Sequence, residues 1–124
     1  MLILPASVRL FLAREPVDMR KGFDSLANLV REHLGGDPLS GHLFIFRSRR
    51  GDRLKVLYWH DGGLCQWYKR LEIGCFGLPT VGAAVGTHGL EIQAADFALL
   101  LEGIDAAKVQ RPTRYQRSAA NVSN

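Results

Sequence analysis

The spacing of apolar residues divides the start of the chain into a strand and a helix. Apolar residues alternate with other residues in SVRLFLA at 7–13, which suits an edge strand. Pro16 ends this strand because it has no backbone N–H to donate to a ladder. Over 18–34 the apolar residues return every three or four positions. This spacing predicts an amphipathic helix with Asp18 as its N-cap and Gly35-Gly36 after its end.

The next segment has the pattern of a β-hairpin. Two runs of strand-forming residues, 42–49 and 53–60, flank Gly51-Asp52. Glycine at the first turn position favours a type II′ hairpin with a two-residue loop, in which Arg50 faces Arg53. Both faces of this hairpin are apolar at the root and basic toward the tip. We therefore expect its basic tip to protrude from the core.

The segment LCQWYKRLEIG fits two kinds of element. Its apolar residues, Leu64, Trp67, Tyr68 and Leu71, have the spacing of a helix face. Its aromatic residues also favour a third strand. The spacing favours a short helix over 64–73, with the strand as the alternative.

The last elements are short and follow a glycine-rich connection. Residues 75–79 and 90–92 suit short strands, and 80–89 contains three glycines without the ending of a phosphate-binding loop. Residues 94–102 predict a helix that buries Phe97, Leu100 and Leu101.

These elements predict one α+β domain over residues 1–105. We expect a small, mostly antiparallel sheet that carries the protruding basic β-hairpin and packs against the amphipathic helix 18–34 and the C-terminal helix 94–102. Residues 106–124 are polar and basic, which predicts a disordered tail.

Composition is that of an ordinary globular protein, with 47% hydrophobic and 23% charged residues among 124. No apolar run is long enough for a membrane span, and the N-terminus lacks the pattern of a signal peptide, so we expect a cytoplasmic protein with no membrane partner. In that compartment the two cysteines, Cys65 and Cys75, are expected to be free thiols.

Charge is distributed unevenly along the chain. Residues 47–70 contain seven Lys or Arg residues and two Asp residues, a net charge of +5, whereas 71–105 contain five acidic residues and no cation. A basic segment of this kind is a candidate nucleic-acid surface. The acidic segment could instead fold back on it. The candidate DNA-binding residues are Arg47, Arg49, Arg50, Arg53, Lys55, Lys69 and Arg70.

No spacing of nucleophile, base and orienting group points to catalysis, so we expect a protein that is not an enzyme and needs no cofactor or metal. Arginine and lysine side chains neutralise phosphates, and a two-stranded ribbon fits a major groove. Exposed cations on a hairpin can also serve only to prevent edge aggregation or to meet an acidic protein. DNA contact and a pure adaptor role therefore both stay open.

Several motifs occur in a familiar order. PVDMRKGFDSLANLV (16–30), DPLSGHLFIFRSRRGDRLKVLYW (37–59), YKRLEIGCF (68–76) and LLLEGID (99–105) resemble the TnpB accessory proteins, the second-reading-frame proteins of the insertion-sequence-66 family of bacterial transposable elements. The resemblance implies a non-catalytic accessory protein that supports DNA transposition. It implies as partners the DNA of the element, at transposon ends or non-specifically, and the transposase and other proteins of the same element.

Overall fold

The computed structural model describes residues 5–79 and 82–103, which form a six-stranded sheet and two helices. The strands lie in the order β4-β3-β2-β1-β6-β5, and every neighbouring pair is antiparallel except β1 and β2. The predicted α+β class with a mostly antiparallel sheet is therefore confirmed. The elements are β1 (Leu10–Ala13), α1 (Phe23–His33), β2 (Leu43–Arg47), β3 (Arg53–His60), β4 (Gly63–Arg70), β5 (Ala83–Val85), β6 (Gly89–Ile92) and α2 (Ala94–Glu102).

Strand β1 lies in the middle of the sheet, so its prediction as an edge strand was wrong. It pairs in parallel with β2 and antiparallel with β6, and all four of its residues are buried. An alternating pattern cannot distinguish a central strand from an edge strand, because pairing depends on partners that are distant in sequence.

The two helices pack on opposite faces of the sheet. Helix α1 buries Leu26, Ala27 and Val30 with Phe44 and other residues of one face. Helix α2 buries Phe97, Leu100 and Leu101 with the residues of the other face. Strand residues near the middle of the sheet are therefore buried on both sides.

Helix α1 begins at Phe23, which is five positions later than the pattern predicts. Asp18 instead closes a turn, because its carboxylate accepts a hydrogen bond from the Arg20 backbone N–H at 2.9 Å. Val17 forms a bridge with Ser48, and its N–H donates to the Arg47 carbonyl at 2.9 Å. This attachment to the end of β2 holds the chain in an extended path just before the turn.

The helix favoured over 64–73 was wrong, because residues 64–70 lie in strand β4, which is the alternative of a third strand. All eight residues of β4 pair with β3, from His60 opposite Gly63 to Arg53 opposite Arg70. The edge of β3 offers backbone hydrogen bonds to this segment, and the spacing of apolar residues could not reveal that partner. The aromatic residues of the segment also suit a strand. In contrast, α2 coincides with the predicted span 94–102.

The connection between β2 and β3 is longer and less protruding than predicted. The Ser48 N–H donates to the Arg53 carbonyl at 2.9 Å, so Ser48 and not Arg50 lies opposite Arg53. The loop is therefore 49–52, and we call it the arginine loop. Its Gly51 is buried, with φ of 82°, and the Gly51 carbonyl accepts the Phe76 N–H at 2.7 Å. The segment after β4 thus covers part of the predicted protruding tip.

The predicted strand at 75–79 is not a strand in the structure, and the glycine-rich connection contains β5. The predicted basic tail, 106–124, lies outside the described residues.

Candidate nucleic-acid interface

The seven candidate cations do not form one surface. Three of them turn toward the protein, where they hold backbone carbonyl groups. The others lie at the arginine loop and at the adjoining ends of β3 and β4. The first group is Arg47, Lys55 and Lys69, and the second is Arg49, Arg50, Arg53 and Arg70.

Lys55 is an internal structural cation. Its side chain is 5% exposed, and its Nζ donates to the carbonyl oxygens of Met19 at 2.7 Å and Lys21 at 2.9 Å. The same ammonium group lies 4.7 Å from the centre of the Tyr68 ring. Lys55 therefore fastens the segment before α1 to the sheet, and its ammonium group is directed into the protein and not toward solvent.

Lys69 and Arg47 also make internal contacts. Lys69 Nζ donates to the Leu101 carbonyl at 3.3 Å, where a cation stabilises the C-terminal end of α2. Arg47 Nη1 lies 3.4 Å from the Phe76 carbonyl, and its buried Nε has no partner among the described residues. Both residues are only partly exposed.

The arginine loop borders a surface cleft of about 300 Å³. Arg49 and Arg50 are exposed, and Arg53 is partly exposed at the start of β3. On the opposite wall, the cleft is bounded by the segment that Lys55 holds in place. The lining residues are Val17, Asp18, Met19, Ser48, Arg49, Arg50, Asp52 and Arg53.

Two aspartates line the cleft, and both already have partners within the protein. Arg20 donates to the Asp18 carboxylate through its Nε and Nη2, and these hydrogen bonds hold the pKa of Asp18 far below its usual range. Ser48 Oγ donates to Asp52 Oδ1 at 3.3 Å. Within 5–79 and 82–103, no acidic side chain forms an ion pair with any of the three arginines.

A second part of the basic surface lies beside the cleft on β3 and β4. Arg53 and Arg70 are cross-strand neighbours, and Arg53 Nη1 contacts the Tyr68 hydroxyl at 3.4 Å. Arg70 forms an exposed ion pair with Glu72 at 3.1 Å. Such a pair between exposed side chains is weak, so Arg70 can exchange Glu72 for another anion.

The acidic segment packs backbone against the arginine loop at Gly51 and Asp52, but among the described residues its acidic side chains form no ion pair with Arg49, Arg50 or Arg53. Glu91 instead pairs with Arg9 at 2.6 Å, and this hydrogen-bonded pairing lowers the pKa of Glu91. Asp96 accepts the Gln93 N–H at 3.3 Å as part of the capping box of α2. Glu72 is the acidic residue of this segment that reaches a hairpin cation, Arg70.

The described residues contain neither a membrane-spanning helix nor a metal-binding cluster. Neither helix is long and apolar enough to cross a membrane. No group of three or more His, Cys, Asp or Glu side chains could hold a metal ion there.

Sequence reasoning found the arginine loop but missed the residues that build its surroundings. Asp18 and Met19 were placed in a helix, although they form the opposite wall of the cleft. Tyr68 was placed on the buried face of a helix, although it is 46% exposed on β4. The aromatic residues of 64–73 were the signal that favoured a third strand. A strand there, paired with β3, places Tyr68 close to Arg53.

The fold and surface define a small α+β protein with an open cluster of arginines beside a cleft. Comparison with protein families matches residues 8–111 to the model described as IS66 Orf2 like protein. The chain belongs to this family, which is associated with the transposition of insertion sequences.

Two relatives from Sinorhizobium fredii (strain NBRC 101917 / NGR234) have similar sequences. The protein y4hO is 44% identical over 113 residues, which cover 87% of this chain and 93% of the relative. The protein y4jC is 38% identical over 104 residues, which cover 84% of this chain and 86% of the relative. Both carry the description uncharacterized protein. No solved structure matches the chain.

Proposed function

We propose that this protein is a non-catalytic accessory factor of transposition that contacts DNA through the arginine loop. The observation that carries the proposal is the placement of Arg49, Arg50 and Arg53 around one cleft without acidic ion-pair partners among the described residues. Family membership supports a role in transposition. The DNA of the element and its transposase are the partners that this role requires.

The chemistry of the exposed group suits the DNA backbone. A guanidinium group donates in a planar fork that matches two phosphate oxygens. The loop is anchored at both sides, since Gly51 N donates to the Ser48 carbonyl at 3.0 Å and Gly51 O accepts from Phe76. A fixed loop presents its arginines with less loss of conformational freedom on binding.

The interface that we propose uses fewer cations than the seven predicted from the sequence. Lys55 and Lys69 donate to carbonyl groups of the protein, and Arg47 Nη1 lies 3.4 Å from the Phe76 carbonyl. We therefore assign phosphate contact to Arg49, Arg50 and Arg53, with Arg70 at the margin. A cleft on one side of the loop also favours contact along a backbone over insertion of a free ribbon into a groove.

The experiment is a salt titration of DNA binding by the full chain and by the double variant Arg49→Ala/Arg50→Ala. Each lost phosphate contact lowers the affinity for DNA. It also makes the slope of the logarithm of the binding constant against the logarithm of salt concentration shallower by about 0.7–0.9. We expect the double variant to lose about tenfold or more in affinity at low salt and to show a shallower slope by about 1.5.

The matched control is Arg9→Ala/Arg31→Ala, which removes the same charge from other exposed positions, and urea unfolding of this variant accounts for the loss of the Arg9–Glu91 ion pair. Arg9 precedes β1, at the end of the sheet opposite the arginine loop. The control should retain most of the affinity and the slope. Equal losses in both double variants would assign binding to net charge alone. Absence of salt-sensitive binding by the wild-type protein would refute direct DNA contact and favour the adaptor, whose cations meet an acidic protein.

A further inference from the structure

Tyr68 is an exposed aromatic residue held in a fixed position beside the cleft that the arginine loop borders, which we call the arginine cleft. It is 46% exposed, although it lies in a strand that pairs along its whole length with β3. Its cross-strand neighbour is Lys55, and the next pair along the strands on the same face is Arg53 with Arg70. The ring therefore lies among three cationic side chains.

Two contacts fix the ring. The buried ammonium of Lys55 lies over one face, 4.7 Å from the ring centre. The hydroxyl group lies 3.4 Å from Arg53 Nη1. Because Lys55 covers one face, the opposite face and the outer edge are the parts of the half-exposed ring that a ligand could reach.

A fixed ring with an open face beside arginines is the arrangement that binds unpaired nucleotides. Every base has a π-face that can stack on an aromatic side chain, while neighbouring cations bind the phosphates. In a duplex the faces of the bases are already stacked on each other. A ring placed in this way can distinguish unpaired from paired DNA, which phosphate contacts alone do poorly.

We infer that Tyr68 is a stacking platform for an unpaired base, and that this surface prefers single-stranded DNA whose backbone follows Arg53 into the arginine cleft. This inference rests on the proposed function, because it names the form of DNA that the same surface takes. Arg53 joins the two parts, since it lines the cleft and contacts the Tyr68 hydroxyl. Lys55 acts here as a positioning residue beneath the ring.

The test measures the affinity of the full-length protein for three DNA probes at one salt concentration. The probes are an oligothymidine of about 12 nucleotides, an abasic strand of the same length, and a duplex. The abasic strand retains the phosphates and lacks the bases. We expect the wild-type protein to bind oligothymidine about tenfold more tightly than the abasic strand.

Two variants assign this preference to the ring. Tyr68→Leu should lower affinity for oligothymidine about tenfold and leave the abasic affinity unchanged, which removes the preference. Tyr68→Phe retains the ring and should stay within about twofold of wild type. If Tyr68→Leu does not fold, the wild-type comparison of the two strands and the Phe variant still test the platform.

The outcomes separate this inference from the proposed function. Binding of all three probes with similar affinity, and so with no preference for bases, would overturn the stacking platform and leave phosphate contact standing. A base preference that survives in Tyr68→Leu would also overturn it, because the stacking would lie elsewhere. Failure of the wild-type protein to bind any probe would refute the proposed function and the platform together.

Discussion

Replacing the buried cation Lys55 with methionine should destabilise the protein and loosen one wall of the cleft. Lys55→Met keeps most of the side-chain volume and removes the ammonium group. The Met19 and Lys21 carbonyls, which accept at 2.7 and 2.9 Å, then lose their donor. A buried acceptor left without a partner costs about 1–3 kcal/mol, and a hydrogen bond from a charged group contributes about 1.5–3 kcal/mol.

The loss expected for Lys55→Met is smaller than the sum of these contributions. Removing the ammonium also removes the free-energy cost of burying a charge. This gain offsets part of the stability that is lost with the two hydrogen bonds. The contact with the Tyr68 ring adds about 1 kcal/mol to the loss. We therefore expect the free energy of unfolding to fall by about 2–4 kcal/mol.

Urea unfolding followed by tryptophan fluorescence measures this loss, since Trp59 and Trp67 lie in β3 and β4. Hydrogen exchange at the Val17 and Lys21 amides reports on the wall itself, because both N–H groups are bonded to carbonyls in the structure. In Lys55→Met, a larger increase in exchange at these two amides than at the amides of β2 would locate the effect at this wall.

Lys69→Met is the matched control. Lys69 also donates to a carbonyl, but through one 3.3 Å hydrogen bond at a partly exposed position. We expect a loss of about 0.5 kcal/mol there. A loss below about 1 kcal/mol for Lys55→Met, or equal losses in both variants, would refute the claim that Lys55 fastens this wall.

Two further predictions concern the arginine loop and the sheet. Gly51→Ala and Gly62→Ala both place alanine at a positive φ, near 82° and 83°, and both should cost about 1 kcal/mol in unfolding experiments. Gly51→Ala should cost more, because its Cβ would lie 3.1 Å from Arg47 Nη1, whereas the Gly62 Cβ meets nothing within 4 Å; equal costs would contradict this packing. Arg9 lowers the pKa of Glu91 in the folded state, so the pair stabilises above the unfolded pKa near 4.5, and this contribution disappears as pH falls through the folded value. The stability difference between wild type and Glu91→Gln should therefore vanish at strongly acidic pH, and a difference independent of pH would contradict the ion pair.

The fold was predicted best where local interactions determine an element. Helix α2 has helical spacing, a capping box at Gln93 and Asp96, and a glycine with φ of 78° after its end, all within one short segment. Helix α1 was predicted less well, because tertiary contacts of the segment before it hold residues 17–22 in another path. Local propensity is overridden when a neighbouring strand offers hydrogen bonds to the same backbone.

The same contrast explains the candidate site. The arginine loop was visible as a run of cations around a turn, and Arg49 and Arg50 are exposed there. Lys55 and Lys69 look equivalent to them in sequence, yet each is directed to carbonyl groups of a distant segment. No local pattern distinguishes a cation that is exposed to solvent from one that donates a hydrogen bond to a carbonyl more than 30 residues away.

The sequence by itself determined the α+β class, the position of α2, the antiparallel relation of β2 and β3, and the concentration of cations in residues 47–70. These features depend on periodicity, turn residues and composition, which are properties of short segments. The tertiary structure decided that β1 is central, that Tyr68 lies in a strand, and which cations remain at the surface. These outcomes depend on which segments become neighbours in the sheet, and pairing between distant segments is a property of the whole chain.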